Sequence, residues 1–507
     1  MAGNLNGPFC SYSGFNKKLR EKPQMKRGFL RSCLGGVATT MLLAAPSYGV
    51  DLLAVYDQAL INDPQIREAE ATRRADREIR PQAIGALLPQ LAGNAGKNRQ
   101  WSDGTGFTQN TILNPVTGTV AVQTVGSGGD SINTTKTWGL TARQSVFAWG
   151  NWMNLRMANH EVAQAEADYM VAMQSLAQRV AQQYFAVLQA HDTLEAVEAA
   201  REAVQRQLDQ SERRFEVGLI AITDVQDARS ARDDAAAAVI ASKRALASAE
   251  EQLRATIGEK PDSLNEPAEN MPLVSPTPAS EDEWVKLAME QNLSLISSRL
   301  AADIARDQVK GTYGNFMPQV DLVAGRNYSD LDGKRTQVGL DTINANEAYG
   351  KSVSLQITMP LFTSGTNLSR TRQSQYRWIA AKERLERTSR NTERTARDAY
   401  LGVTSEMARV QALKQSVESS QTALAANEAG YEVGTRTSVD VLNSRRLLIQ
   451  AQTNYSSAKY SYLNNIIALR LAAGDLDRSV IEEVNRWLTV PVQPPSRDAP
   501  PAPPAPQ

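Results

Sequence analysis

The sequence predicts a mixed α/β protein with an internal two-fold structural repeat, each copy joining a short strand pair to a long helical hairpin. Three observations predict it. First, Phe215-Glu216-Val217-Gly218-Leu219-Ile220-Ala221-Ile222-Thr223-Asp224-Val225 returns as Tyr431-Glu432-Val433-Gly434-Thr435-Arg436-Thr437-Ser438-Val439-Asp440-Val441. The aromatic, the Glu-Val-Gly and the Asp-Val fall at one shift, 431 − 215 = 216. A period this long is no solenoid repeat, so each copy is a multi-element unit. Second, Leu88-Pro89-Gln90-Leu91 has a counterpart in Met317-Pro318-Gln319-Val320, and Val146-Phe147 in Leu361-Phe362, each of the latter pairs leading to a glycine, Gly150 or Gly365. Third, an Ala-, Gln- and Glu-rich run from Asn151 to Glu216, and its counterpart from Thr366 to Ala429, read as nearly unbroken helices. About 65 residues of helix at about 1.5 Å each reach on the order of 100 Å.

Residues 1–49 read as an N-terminal extension and signal peptide. Met25-Lys26-Arg27 opens a basic stretch, Leu34 to Ala45 is apolar and small, and Ser47-Tyr48-Gly49 offers small residues for cleavage. Both cysteines, Cys10 and Cys33, fall inside that segment. The first repeat, 50–258, opens with helical spacing from Leu52 to Leu87, interrupted at Asn62-Asp63-Pro64 and stopped by Pro89. The Gly/Thr/Asn-rich stretch from Trp101 to Thr135 reads as a long exposed loop. Lys136 to Phe147 then alternates, with Trp138, Leu140 and Ala142 on one face and Thr137, Thr141 and Arg143 on the other. The long helix ends at Val217-Gly218, and a second helix follows from Thr223 to Ile257.

A Pro-rich linker, 259–280, carries Pro261, Pro267, Pro272, Pro276 and Pro278. The second repeat, 281–490, alternates more clearly. Val320, Leu322 and Ala324 oppose Asp321, Val323 and Gly325; after a polar loop, Val353, Leu355, Ile357 and Met359 oppose Ser352, Ser354, Gln356 and Thr358. Soluble sandwiches and membrane barrels both alternate in this way, so the pattern leaves that choice open. A hairpin follows, with its second helix from Ser438 to Ala473. Residues 491–507 form a Pro/Ala-rich tail expected to be disordered.

Composition narrows the function. Fifty-five basic against 55 acidic side chains leave no net charge and no electrostatic footprint for nucleic acid. With two histidines, His160 and His191, in helical patterns, and two cysteines, metal clusters and His-based acid/base catalysis lack material. No Walker loop is present, and an enzyme and a cofactor are not expected. No stretch after the leader nears the roughly 20 apolar residues of a spanning helix, so any membrane entry would be by strands.

Helix, strand, loop, strand, long helix, Val-Gly turn and helix, performed twice behind a signal peptide, resembles the TolC-like outer-membrane channel family. Its carriers are Val217 to Gln226 in the first copy and Tyr431 to Leu442 in the second. The resemblance implies a mixed α/β membrane protein. Three protomers each supply four β-strands to one trimeric 12-stranded transmembrane β-barrel, continued by a periplasmic α-helical coiled-coil barrel. It implies an outer-membrane exit duct of a tripartite export system, for type I protein secretion or multidrug efflux. Its partners would be a homotrimer of itself, outer-membrane lipid, a periplasmic membrane-fusion adaptor and an inner-membrane ABC or proton-driven pump.

The resemblance also assigns residues at the periplasmic tip. Asp440 would form a luminal ring of three carboxylates, and Asn443, one turn on, a second ring, neutral where the family has Asp. Tyr431 and Arg436 would latch the inner hairpin to the outer one, with Thr223 and Asp224 as acceptors. Val217, Gly218 and Leu219, with Val433, Gly434 and Thr435, would receive the adaptor. A structural reading stands beside each: Thr223-x-x-Gln226 fits a capping box, Thr437-x-x-Asp440 comes close to one, and both glycines turn the chain. The competing function is a non-conducting periplasmic coiled-coil adaptor or scaffold, which would stay soluble without detergent.

Overall fold

In the computed structural model, alternation of side chains along extended segments produces one four-stranded antiparallel sheet of order β1-β4-β6-β7. The structure describes residues 50–105, 107–113, 115–126, 129–261, 263–268, 271–337 and 340–492. The expected leader and the tail beyond residue 492 lie outside them. Helices α1 (Leu52–Asn62), α2 (Pro64–Arg77) and α3 (Ile79–Gly85) lead into β1 (Gln90–Ser102). A hairpin of β2 (Phe107–Leu113) and β3 (Val120–Gly126) precedes β4 (Asp130–Phe147), which runs into α4 (Trp149–Glu216) and α5 (Ile222–Ile257). After the short β5 (Asn265–Pro267) come α6 (Glu281–Gln291), α7 (Leu293–Tyr313), β6 (Gln319–Gln337), β7 (Leu340–Thr358), α8 (Thr366–Glu432) and α9 (Ser438–Ala473). Helix α10 (Arg478–Asn485) and β8 (Leu488–Pro491) complete the described chain.

The stretch expected to be a loop, Trp101 to Thr135, is instead mostly strand: β1 pairs with β4 through Ser102–Ser131, and β2 pairs with β3. The polar segment between the strands of the second half likewise extends the β6–β7 ribbon, pairing out to Gln337–Leu340. Thr, Asn and Gln suit a pleated surface. In the outer β6–β7 ribbon few apolar residues alternate to betray it, whereas in β2 and β3 apolar residues such as Ile112, Val120 and Val122 are masked by Gly- and Thr-rich neighbours.

Register gathers the alternating residues of four strands onto two faces. On one lie Leu91, Trp138, Leu140, Leu322, Tyr328, Tyr349, Val353, Leu355 and Ile357. Leu91, Val353 and Ile357 are 74%, 77% and 65% exposed. Val320 to Tyr328 covers about 30 Å along the strand at about 3.3 Å per residue, which suits a tilted crossing of a hydrocarbon layer. Aromatic rings bound this band. Trp138 stacks on Tyr328, and Tyr328 lies 4.8 Å from Tyr349 at one end; exposed Phe147, Phe316 and Phe362 stand at the other. The opposite face is small and polar, and there Asp321 accepts hydrogen bonds from Arg143 and Ser145 at 2.5 and 2.8 Å. Among the described residues no helix is long and apolar enough to cross a membrane.

Below the sheet the helices repeat its order, α2/α3 against α4, α4 against α7, and α7 against α8. Lower down, α4 pairs with α5 and α8 with α9. Where these levels meet, an aromatic core forms around Tyr184, Phe185, Tyr460 and Tyr462, all fully buried. The Pro-rich segment is bound to this core rather than free. Its β5 pairs with β8, the Tyr184 hydroxyl donates to Asn265 O at 2.7 Å, and the Tyr462 hydroxyl donates to Val274 O at 2.9 Å. Proline limits a strand to an edge without forbidding it.

Helices α5 and α9 stop at Gly258 and Gly474, with φ of +85° and +82°. A Cβ on Gly474 would sit 2.5 Å from the carbonyl oxygen of Gln291. Gly474→Ala is therefore expected to cost about 2–3 kcal/mol from the strained backbone, read as a lower thermal midpoint. An unchanged midpoint would mean that the α6–α7 junction gives way freely.

Candidate functional site: the helical tip

The tips arise from two glycines that the helices cannot absorb. Gly218 and Gly434 have φ of +76° and +78°, the left-handed conformation that ends a helix without a Cβ penalty. At each, the two N–H groups past the cap bond back into the last turn. Gly218 and Leu219 donate to Phe215 O and Arg214 O, both at 2.8 Å; Gly434 and Thr435 donate to Tyr431 O and Gly430 O at 3.2 and 2.8 Å. This is the Schellman arrangement. It leaves Val217, Gly218, Leu219, Val433, Gly434 and Thr435 exposed together at the turns. Val217, Leu219 and Val433 are each about 70% exposed. The turn conformation itself holds these apolar side chains outward.

The restart of the helices differs between the two tips. Thr437 caps α9: its hydroxyl accepts the Asp440 N–H at 3.2 Å, while the Asp440 carboxylate accepts the Thr437 N–H and hydroxyl at 2.9 Å each. That is a complete capping box. These bonds, with help from the neighbouring Arg436 charge, hold the Asp440 carboxyl below the usual carboxylate range. In α5 the anticipated box at Thr223 is not formed. The helix begins one residue earlier, with Ala221 at the cap and no side-chain bond, which places Thr223 and Asp224 inside the first turn. Ile222 starts the helix because Ile220 and Val225 pack together with Leu208 and Ala228, so tertiary packing overrides the capping signal. Asn443 is exposed one turn after Asp440, on the same face of α9.

The four latch residues are placed close to the turns but not bonded to one another. Among the described residues, no hydrogen bond or ion pair joins Tyr431 or Arg436 to Thr223 or Asp224 within the protomer. Tyr431 is buried against Leu424 and Val441, and its hydroxyl has no partner. Instead, the guanidinium of Arg214 sits 4.6 Å over the Tyr431 ring, a cation–π contact that ties the end of α4 to the end of α8. Sequence reading missed Arg214, because nothing local links it to Tyr431. It also missed Gly430, where a Cβ would lie 2.7 Å from Arg436 Cγ; the absent side chain gives the stem of Arg436 its seat. Among the described residues no group of three His, Cys, Asp or Glu could hold a metal.

Known proteins share the sequence pattern and the fold of the chain. The outer membrane efflux protein family matches the chain over residues 55–259 and 284–475. The outer membrane protein TolC of Vibrio cholerae is 32% identical over 448 residues, 88% of this chain and 96% of that protein. The alkaline protease secretion protein AprF of Pseudomonas aeruginosa is 28% identical over 453 residues, 88% of this chain and 89% of that one. In fold, the chain is similar to the crystal structure of the Campylobacter jejuni CmeC outer membrane channel. That likeness has a TM-score of 0.64 and 19% identity, and covers 86% of this chain and 89% of that one.

Proposed function

This chain belongs to the outer membrane efflux protein family and is an outer-membrane efflux or secretion channel of TolC type; from that premise, we propose that it is the passive exit duct of a tripartite export system. One observation carries this reading: the sheet has an apolar, aromatic-bounded outer face and two unpaired edge strands, β1 and β7. Open edges are not tolerated in lipid. Three copies, each adding four strands, close a 12-stranded barrel, and the helices beneath continue it as a periplasmic tunnel. The two halves, 50–258 and 281–490, act as structural copies, each contributing two strands and one hairpin. A soluble coiled-coil scaffold gives no account of the apolar face.

Gating follows from the tips. In the trimer the Asp440 carboxylates form a ring that attracts cations and opposes anions, with Asn443 as a neutral ring beside it. The unpartnered Tyr431 hydroxyl and the exposed Arg436 are the donors of a latch whose acceptors are Thr223 and Asp224, reached once neighbouring hairpins close. Each such bond is modest when partly solvated, which suits a lock that must open. The turns Val217-Gly218-Leu219 and Val433-Gly434-Thr435 receive a periplasmic membrane-fusion adaptor. An open groove of about 450 Å³ beside Val217, lined by Arg206, Asp209, Arg213 and Arg214, offers that adaptor charged contacts. An inner-membrane ABC or proton-driven pump supplies the energy.

Planar-bilayer recording tests the proposal. Wild-type protein is expected to give small currents that favour cations, and Arg436→Ser larger ones. Unaltered conductance in Arg436→Ser would remove Arg436 from the latch. No insertion and full solubility without detergent would overturn the duct.

A further inference from the structure

The two edge strands of the sheet repeat the residues of its two inner strands. Ala95-Gly96-Lys97-Asn98 of β1 returns as Ala324-Gly325-Arg326-Asn327 of β6, a shift of 324 − 95 = 229 that also relates Gln90 to Gln319. Lys136-Thr137-Trp138-Gly139-Leu140 of β4 returns as Lys351-Ser352-Val353-Ser354-Leu355 of β7, a shift of 351 − 136 = 215 that also relates Phe147 to Phe362. Strand β1 is therefore a copy of β6, and β7 a copy of β4.

The pairing of the strands obeys these two shifts. Between β1 and β4, Gln90 lies opposite Arg143. Carrying that pair forward gives 90 + 229 = 319 and 143 + 215 = 358, and Gln319 does lie opposite Thr358 between β6 and β7. The remaining inner junction, β4 beside β6, has as its counterpart β7 beside β1. One chain cannot form that junction, because β1 and β7 stand at opposite ends of the sheet. Both are open: β1 is exposed along its whole length, and β7 from residue 351 to residue 358. In a closed barrel the β1 that meets β7 belongs to the next copy, a step that rests on the trimeric reading above.

We propose that β7 of one copy pairs with β1 of the next in the register that β4 keeps with β6. Gly139–Asn327, Leu140–Arg326 and Thr141–Gly325 then recur across the seam as Ser354–Asn98, Leu355–Lys97 and Gln356–Gly96. The faces agree. Leu355 and Ile357 meet Lys97 and Ala95, which share the face of Leu91, while Ser354 and Gln356 meet residues of the polar face. A slip by one residue would turn every side chain to the wrong face, so only slips by two compete, and the repeat selects among them. The register also finds a partner for an exposed ring. Where Lys136 holds Asp330 at 2.8 Å within one copy, its counterpart Lys351 stands opposite Trp101 of the next. Trp101 is 65% exposed in the single chain, and an ammonium beside it makes a cation–π contact.

Direct disulfide formation in the full chain tests the register. Opposed Cα atoms in an antiparallel pair are about 4.5–5.5 Å apart, inside the range of about 4.4–6.8 Å that a disulfide spans. With Cys10 and Cys33 replaced by Ser, Ser354→Cys combined with Asn98→Cys is expected to give bands of two and three chain masses on a denaturing gel after mild oxidation. Ser354→Cys with Gly96→Cys, or with Gln100→Cys, is expected to give at least about tenfold less, since a partner displaced by two residues lies about 7–8 Å away. A second measurement needs no substitution. Solid-state NMR of wild-type trimers assembled from nitrogen-labelled and carbon-labelled chains should show contacts between Ser354 and Asn98 of different copies. A wild type that is monomeric by native mass spectrometry overturns the trimer and the register together. A trimeric wild type without the Ser354–Asn98 contact, or with its strongest cross-link at residue 96 or 100, overturns the register and leaves the duct standing.

Discussion

Asp440→Asn is expected to weaken block of the channel by divalent cations at least about tenfold while leaving the tip of the second hairpin folded. Asp440 has two separable tasks in this reading. Its side-chain oxygen accepts the Thr437 N–H and hydroxyl, and an asparagine oxygen can still accept both. Its charge, repeated three times around the tunnel axis, is what attracts a divalent ion, and asparagine removes it. Asp440→Ala is expected to lose both tasks, raising conductance and loosening the first turn of α9. Block that survives in Asp440→Asn would leave the carboxylate as a helix cap and take it out of the gate. Acid gives an independent check. Because the folded pKa of Asp440 is depressed, the capping contribution is present above about pH 4 and is lost as pH falls through the folded value. Divalent block should fade over the same acidic window.

Phe185→Ala is expected to be the most damaging substitution of a single side chain in the aromatic core, at about 3–5 kcal/mol. Phe185 is fully buried. It meets Tyr184 edge-on at 5.9 Å and lies nearly parallel to Tyr460 at 6.1 Å. Removing it opens a void between two rings that cannot move to fill it, because their hydroxyls are engaged. Tyr184 bonds both the N–H and the carbonyl of Asn265. Tyr460 donates to the Asp192 carboxylate at 3.1 Å, which also accepts from Ser456 at 2.6 Å. Burial raises both phenols far above their ordinary range, so they remain neutral donors at any working pH. Circular dichroism of the detergent-solubilised protein should show the thermal midpoint falling by several degrees, with Phe185→Leu recovering more than half of the loss. A midpoint unmoved by the alanine variant would place the stability of the molecule in the hairpins rather than in this core.

The long helices were legible because their signal is local and redundant. Every residue from Asn151 to Glu216 tolerates a helix, and Gly218 ends it by its own backbone freedom. The expected second helices, starting near Thr223 and Ser438, match α5 and α9 within a residue. The strand faces of the apolar band were legible for a related reason, since alternation at Val353, Leu355 and Ile357 needs no knowledge of a neighbour. Polar ribbon was not legible. Between Trp101 and Thr135 the apolar residues, among them Ile112, Leu113, Val120 and Val122, are scattered through a Gly-, Thr- and Asn-rich stretch, and only the pairing of the strands distinguishes them from loop. At the tip, the turn residues and the Thr437–Asp440 cap were visible in spacing. The Thr223 cap failed because Ile220 and Val225 found apolar partners on α4, which outweighed one side-chain hydrogen bond.

By itself, the sequence determined what depends on neighbours a few residues away: where helices run and turn, which strand positions are apolar, and that Val217, Gly218, Val433 and Gly434 stand at two tips. Only the tertiary structure decided what depends on residues far apart in the chain. It set β4 beside β6, leaving β1 and β7 as open edges, drew the Pro-rich segment onto Tyr184 and Tyr462, and placed Arg214 over Tyr431 with the phenol hydroxyl free. Backbone conformation is set by short-range sterics and hydrogen bonding, whereas the satisfaction of a charge or a hydroxyl depends on what the rest of the chain brings to it.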